Sequence, residues 1–244
     1  MRRAMRVGGL ALIVVGVLGL AWTVTVWRWQ DPFTGLYTRW EQHRLGQQYD
    51  RLLSRWQPPG GSPVAPRDAA VARRDVAREA VAYRRETHQG QAIGRIVIGR
   101  IGLSMVLVDG TDHESLKRGP GRDLRSYMPG QNRLVYIAGH RTTYLAPFSH
   151  IDDIRKGDYV RIEMPYGTFT YRTIGHEIVP ATDIAMLQSP RHELLRLQAC
   201  HPRFFATHRY IVDARLVSVR PRDGQPYTVP ALAGARSLAA LSLS

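Results

Sequence analysis

The sequence predicts a mainly β domain, a small barrel or sandwich, carried behind an apolar membrane helix and two amphipathic helices. Three observations lead there. Short β runs separated by Gly- and Pro-rich turns fill residues 93–219. An uncharged stretch of 21 residues opens the chain. Between the two lie segments with apolar residues at helical spacing. The chain has 244 residues, 44% hydrophobic and 22% charged, with one cysteine, Cys200, so no internal disulfide exists.

Residues 7–27, VGGLALIVVGVLGLAWTVTVW, are long enough to cross a bilayer as a helix. Arg2, Arg3 and Arg6 precede them, which predicts a cytoplasmic N-terminus (residues 1–6). Trp22, Trp27 and Trp29 fall where an interfacial aromatic belt belongs. A cleaved signal peptide is disfavoured, because the run exceeds an ordinary h-region and no small-x-small site follows. The expected location is therefore the cell membrane, single-pass, with the remaining chain outside. In an exported chain a lone cysteine suggests a reactive thiol, with a buried core cysteine as the alternative.

Residues 28–90 read as a juxtamembrane helical stalk and linker. In 33–56, Leu36, Trp40, Leu45, Tyr49, Leu52 and Trp56 recur near the helical period. PPGGSPVAP (58–66) breaks the pattern. Val71, Val76, Val81 and Tyr83 mark a second helix over 68–87. These helices either stand as a stalk or pack on the domain; the sequence leaves both open.

The β domain is expected over 91–220. Its strand candidates are 93–99, 105–108, 133–139, 158–164, 167–175, 193–199 and 209–219. Short helices are expected at 150–156 and from Ser189, with Pro190 at the first helical position. Residues 221–244, rich in Pro, Gly, Ala and Ser without a period, read as a flexible tail.

The net charge of +14 does not carry a nucleic-acid reading. The basic residues are dispersed, only Lys117 and Lys156 among them are lysines, and no Lys/Arg run interleaves with aromatics. A diffuse positive charge suits an anionic membrane or wall polymer better.

Three segments carry chemistry. AGHRTTY (138–144) ends one strand, LQACHPRF (197–204) ends another, and HRYIV (208–212) opens the last. Strand ends converge on a barrel rim, so His140, Cys200 and Arg209 can meet. Together they suffice for acyl transfer. The Cys200 thiolate is a nucleophile toward a carbonyl. The His140 imidazole moves protons to and from amines. The Arg209 guanidinium stabilises charge developing on the carbonyl oxygen. Arg203 is a nearby competitor for that role, and Arg141 reads as structural. His201 flanks the nucleophile, and Thr142 and Thr143 can line the site. A zinc site on Cys200, His201, His208 and His140 fits no regular ligand spacing, so no metal or cofactor is expected.

These segments resemble the sortase family, the cell-wall cysteine transpeptidases of Gram-positive bacteria. The resemblance covers about 93–220 and is strongest in SLKRGPGRDLRSYMPGQNRLVYIAGHRTTYLAPF and LRLQACHPRFFATHRYIV. It is most similar to the actinobacterial class E. It implies a closed eight-stranded β-barrel with His140, Cys200 and Arg209 as catalytic trio. The implied partners are secreted proteins bearing an LPXTG- or LAXTG-type sorting signal, cut between Thr and Gly through a Cys200 thioacyl intermediate. The implied acceptor is an amine of a peptidoglycan precursor or a pilin lysine. Family members commonly have threonine before the cysteine, where this chain has Ala199. Substrate contact is expected from the loop 179–192, where Ile184, Met186 and Leu187 offer an apolar wall. The alternative is a membrane-tethered, non-catalytic barrel binding anionic wall polymer.

Overall fold

The computed structural model describes residues 2–29, 32–59 and 68–230. Most of the Pro/Gly linker and the end of the expected tail, 231–244, lie outside the described residues.

Helix α1 (Arg2–Trp29) contains a 20-residue window, Met5–Val24, with mean hydropathy 2.3 and no burial against the rest of the protein. It is the one helix among the described residues long and apolar enough to cross a membrane.

Eight strands close a barrel. They are β1 (Ala92–Ile98), β2 (Leu103–Asp109), β3 (Gly121–Arg122), β4 (Leu134–Ala138), β5 (Tyr159–Met164), β6 (Gly167–Pro180), β7 (Leu194–His201) and β8 (His208–Pro221). Their order is β6-β5-β1-β2-β3-β4-β7-β8, and a long antiparallel β6–β8 ladder seals the ring. Closure removes free edges except along the first part of β2, which β3 pairs only at Val108 and Asp109. Inward residues such as Ile96, Leu107, Ile137, Ile162, Phe169 and Leu197 fill the interior. The closed barrel implied by the resemblance is therefore the fold.

The two helices after α1 pack on this barrel. Helix α2 (Pro32–Arg55) buries Leu45 and Tyr49 against Ala92, Val106 and Val108. Its first half is held by polar bonds instead. The Gln42 amide donates to the carbonyls of Val106 (3.1 Å) and Arg118 (2.8 Å) and accepts from the Val106 N–H (2.7 Å). Gln42 thus stands in for a neighbouring strand where β2 has none. Leu36 and Trp40, expected on the apolar face, are exposed, while Thr38 and Glu41 are buried, Thr38 on the Lys117 carbonyl and Glu41 on the Arg118 guanidinium. Helix α3 (Ala69–Glu86), capped by Asp68 on the Ala70 N–H, sends Ala72, Val76, Ala80 and Tyr83 into the main core. Val71 and Val81 face outward.

Several local expectations are corrected. No helix begins at Ser189: its hydroxyl accepts from the Leu134 N–H (3.0 Å), tying the segment to the start of β4. The expected helix at 150–156 contracts to a single turn of 3-10 helix, Ile151–Asp153. Strand β6 runs on to Pro180 because β8 pairs with it throughout. Helix α4 (His113–Arg118) was not foreseen; Asp112 caps it through the Glu114 and Ser115 N–H groups. The ordered chain also passes the expected boundary at 220. Strand β9 (Tyr227–Thr228) pairs with Ser218 and Val219, and Tyr227 is buried.

Candidate active site

The site sits where β4, β7 and β8 end together. β4 and β7 are parallel, with Ala138 beside Gln198, and the Gly139 N–H continues that ladder to the Gln198 carbonyl (3.0 Å). Two residues past this pair, at the ends of the adjacent strands β4 and β7, stand His140 and Cys200. β7 and β8 are antiparallel, with Cys200 directly across from Arg209. The three residues chosen from sequence therefore share one level of one rim.

Cys200 is a free, half-buried thiol. Its neighbour Ala199 points the other way, fully buried in the core beneath the rim. The alternation of a strand explains the difference. A hydroxyl at 199 would be buried in that core.

His140 is half-buried, and its Nε2 is buried with no hydrogen-bond partner among the described residues. Burial holds its pKa below the ordinary histidine value, and His113 lowers it further. The Tyr144 ring packs beside the imidazole at 5.2 Å between centroids, tilted 38°. The Arg209 guanidinium donates to the carbonyls of Ala206 (2.7 Å) and His208 (3.0 Å). Arg203 donates to the Ser149 carbonyl, which ties the loop after β7 to the loop after β4.

Arg141 is a buried clamp. It pairs with Asp152 (2.7 Å) and reaches the Cys200 carbonyl (3.3 Å) and His201 Nδ1 (2.9 Å). Burial and the Arg141 charge together lower the His201 pKa. Thr142 and Thr143 are half-buried in the bend between His140 and Tyr144. Tyr144, Leu145 and Ala146 then adopt left-handed backbone in succession (φ 53°, 58° and 40°). None is glycine, and each such residue costs about 1–2 kcal/mol. Strain of this kind persists only where surrounding contacts fix it.

The loop after β6 divides its three apolar candidates. Ile184 is 78% exposed. Met186 is buried with Leu134, Tyr136, Ala138 and Ile211, and its sulfur accepts from the Tyr136 hydroxyl (2.8 Å). Leu187 is partly buried against the same cluster. Ile184 alone presents its side chain to solvent, with the other two anchoring the turn beneath it. Phe204 and Phe205, 61% and 78% exposed, lie in the loop that follows β7 and the Cys200 strand end. Sequence reading passed over this pair, although two adjacent phenylalanines in a turn were its visible signal.

A half-buried thiol, an imidazole and a guanidinium on one barrel rim define a cysteine acyl-transfer enzyme by class. The sortase domain model matches residues 96–217. Sortase D of Bacillus subtilis (strain 168) is 34% identical over 149 residues, covering 59% of this chain and 72% of that protein. The structure of sortase E from Streptomyces avermitilis shares 30% identity, covering 55% of this chain and 93% of the other, with a TM-score of 0.50. A Clostridium perfringens sortase D5 transpeptidase aligns over 72% of this chain and 98% of its own, at 21% identity and a TM-score of 0.56, a likeness of fold. The chain belongs to the sortase family and is a cysteine transpeptidase.

Proposed function

We propose that this protein is a membrane-anchored sortase, most similar to class E, that cuts an LAXTG- or LPXTG-type sorting signal between Thr and Gly and joins the new acyl end to an amine. The observation that carries the reading is the common level of His140, Cys200 and Arg209 on three adjacent strand ends.

Burial favours the neutral imidazole, which takes the Cys200 proton as sulfur attacks the threonine carbonyl carbon. The Arg209 guanidinium, already fixed by two carbonyls, stabilises the oxyanion of the tetrahedral intermediate. The C–N bond breaks, His140 returns the proton to the departing glycine amine, and a thioester remains on Cys200. An incoming amine then attacks this thioester. His140 accepts the amine proton, the C–S bond breaks, and the proton returns to sulfur. The acceptor is an amine of a peptidoglycan precursor or a pilin lysine. Ile184, with Thr142, Thr143 and His201 near the nucleophile, contributes to the binding groove, and Met186 and Leu187 support it from below.

The apolar window Met5–Val24 supports anchoring, with residues 1–6 in the cytoplasm and the barrel outside. The test uses the full chain in vesicles with an LAXTG and an LPXTG peptide and an amine acceptor, followed by mass, beside a Cys200→Ala control. Ligated product that vanishes in the control supports the reading and ranks the signals. Failure to turn over either peptide overturns the assigned signal, and full activity of the control overturns the nucleophile.

A further inference from the structure

The loop following His140 is held from outside the barrel. Thr34, in the first turn of α2, accepts a hydrogen bond at Oγ1 from the Tyr144 N–H (3.1 Å). That N–H belongs to the first of the three left-handed residues. Nearby, a Cβ at Gly35 would lie 3.5 Å from Leu145 Cδ2, so helix and loop are in close contact. The Tyr144 ring is the centre of an aromatic group. It meets His140 at 5.2 Å, the edge of Tyr37 from α2 at 6.5 Å, and His113 from α4 at 6.5 Å. The Thr38 hydroxyl, one turn further along α2, donates to the Lys117 carbonyl of α4 (2.9 Å). Helix α2, helix α4 and the 140–146 loop thus form one packed unit around the imidazole.

We infer that Thr34 and Tyr144 are positioning residues for His140, so that the start of the helix following the membrane segment is a working part of the active site. The inference rests on the His140 role proposed above. A strained loop does not hold a ring by itself. The Thr34 bond secures the backbone of Tyr144, and the Tyr144 ring covers one side of the imidazole and limits its rotation. The backbone of His140 is held by the Gly139 ladder bond beside it and by the N–H of Phe148, in the turn after β4, on the His140 carbonyl (3.0 Å). The side chain takes its setting from Tyr144. The charged and titratable groups facing this pair are His113 and Lys117 of α4 and Tyr37 of α2.

The test follows the ring resonance of His140 through a pH titration of the detergent-solubilised full chain, assigned with His140→Gln. Steady-state kinetics on sorting peptides run beside it. Tyr144→Ala uncovers the imidazole, and its midpoint is expected to rise by about half a pH unit or more. Thr34→Val, which keeps shape but removes the acceptor, is expected to move the midpoint the same way. It should also lower kcat about tenfold or more with KM unchanged. Tyr144→Phe and Thr34→Ser retain ring and acceptor and are expected to restore the wild-type midpoint. An unmoved midpoint in both Tyr144→Ala and Thr34→Val, in chains with wild-type circular dichroism, overturns the inference. So does a rise in KM alone, which would make Tyr144 a substrate contact. If His140→Gln instead keeps full transpeptidation, the catalytic reading of His140 has failed, and the titration still reports separately on the positioning.

Discussion

Cys200 lies directly across the β7–β8 ladder from Arg209, so an antiparallel pair of strands, rather than a flexible loop, sets the spacing of the proposed nucleophile and the guanidinium. The Arg209 head is fixed by the Ala206 and His208 carbonyls. Fixed donors stabilise developing charge without reorganising during reaction.

Replacing Arg209 by lysine keeps the charge and loses the planar fork. Transpeptidation is expected to fall about 100-fold or more in kcat, the scale of losing one oxyanion donor. The melting temperature should stay near wild type, because Arg209 is half-buried at a rim. Kinetics with a thermal melt check both; unchanged kcat removes Arg209 from the chemistry.

The two sides of the 179–192 loop should separate in experiment. Ile184→Glu places a charge on an exposed wall and is expected to raise KM for sorting peptides without altering stability. Met186→Ala empties a buried position and is expected to cost about 2–5 kcal/mol of stability. Peptide kinetics and denaturant melts on the two variants distinguish binding from packing.

Glu79 on α3 gives a signed pH dependence. Partial burial, followed by repulsion from Asp223 and Asp75, pushes its pKa up to about 7. A carboxyl with a raised folded pKa favours folding at low pH, and that contribution is lost as pH rises from the ordinary carboxylate range through about 7. Glu79→Gln is therefore expected to raise the melting temperature at pH 8 and to leave it near wild type at pH 5. Solvent screening reduces the gain to about 1 kcal/mol. Equal shifts at both pH values would contradict the electrostatic origin.

A fragment spanning 91–220, the domain the sequence suggests, should not melt cooperatively. It lacks Leu45 and Tyr49 of α2, Ala80 and Tyr83 of α3, and Tyr227 of β9, all buried against the barrel. It also leaves the Val106 N–H and carbonyl without the Gln42 amide. A fragment spanning 32–230 restores these contacts and is expected to show a single transition by circular dichroism.

Within a longer chain, Gln42→Leu isolates the polar part of that packing. It strands the Val106 N–H and the Val106 and Arg118 carbonyls, at a cost of about 1–3 kcal/mol. Thermal melts of the variant beside the wild type measure it.

The sequence by itself determined what local pattern and residue chemistry can express. Period-2 alternation and turn residues marked seven of the eight barrel strands, and an uncharged run marked the apolar helix. The residue types in AGHRTTY, LQACHPRF and HRYIV pointed to the proposed reactive set, because few residues can attack a carbonyl, shuttle a proton and hold an oxyanion. Strand β3 escaped notice because two residues, Gly121 and Arg122, show no period. Tertiary structure alone decided where the intervening helices go. Thr38, Glu41 and Gln42 carry no apolar signal, yet they hold the first half of α2, because Thr38 and Gln42 meet backbone groups left open by the strands and Glu41 meets the Arg118 guanidinium. It alone turned Met186 inward and Ile184 outward, since which side of a 3-10 turn is buried depends on what packs beneath it. And it alone set Tyr144 between His140 and Thr34, 110 residues away in sequence, a contact that exists only once the barrel and the helix before it have packed together.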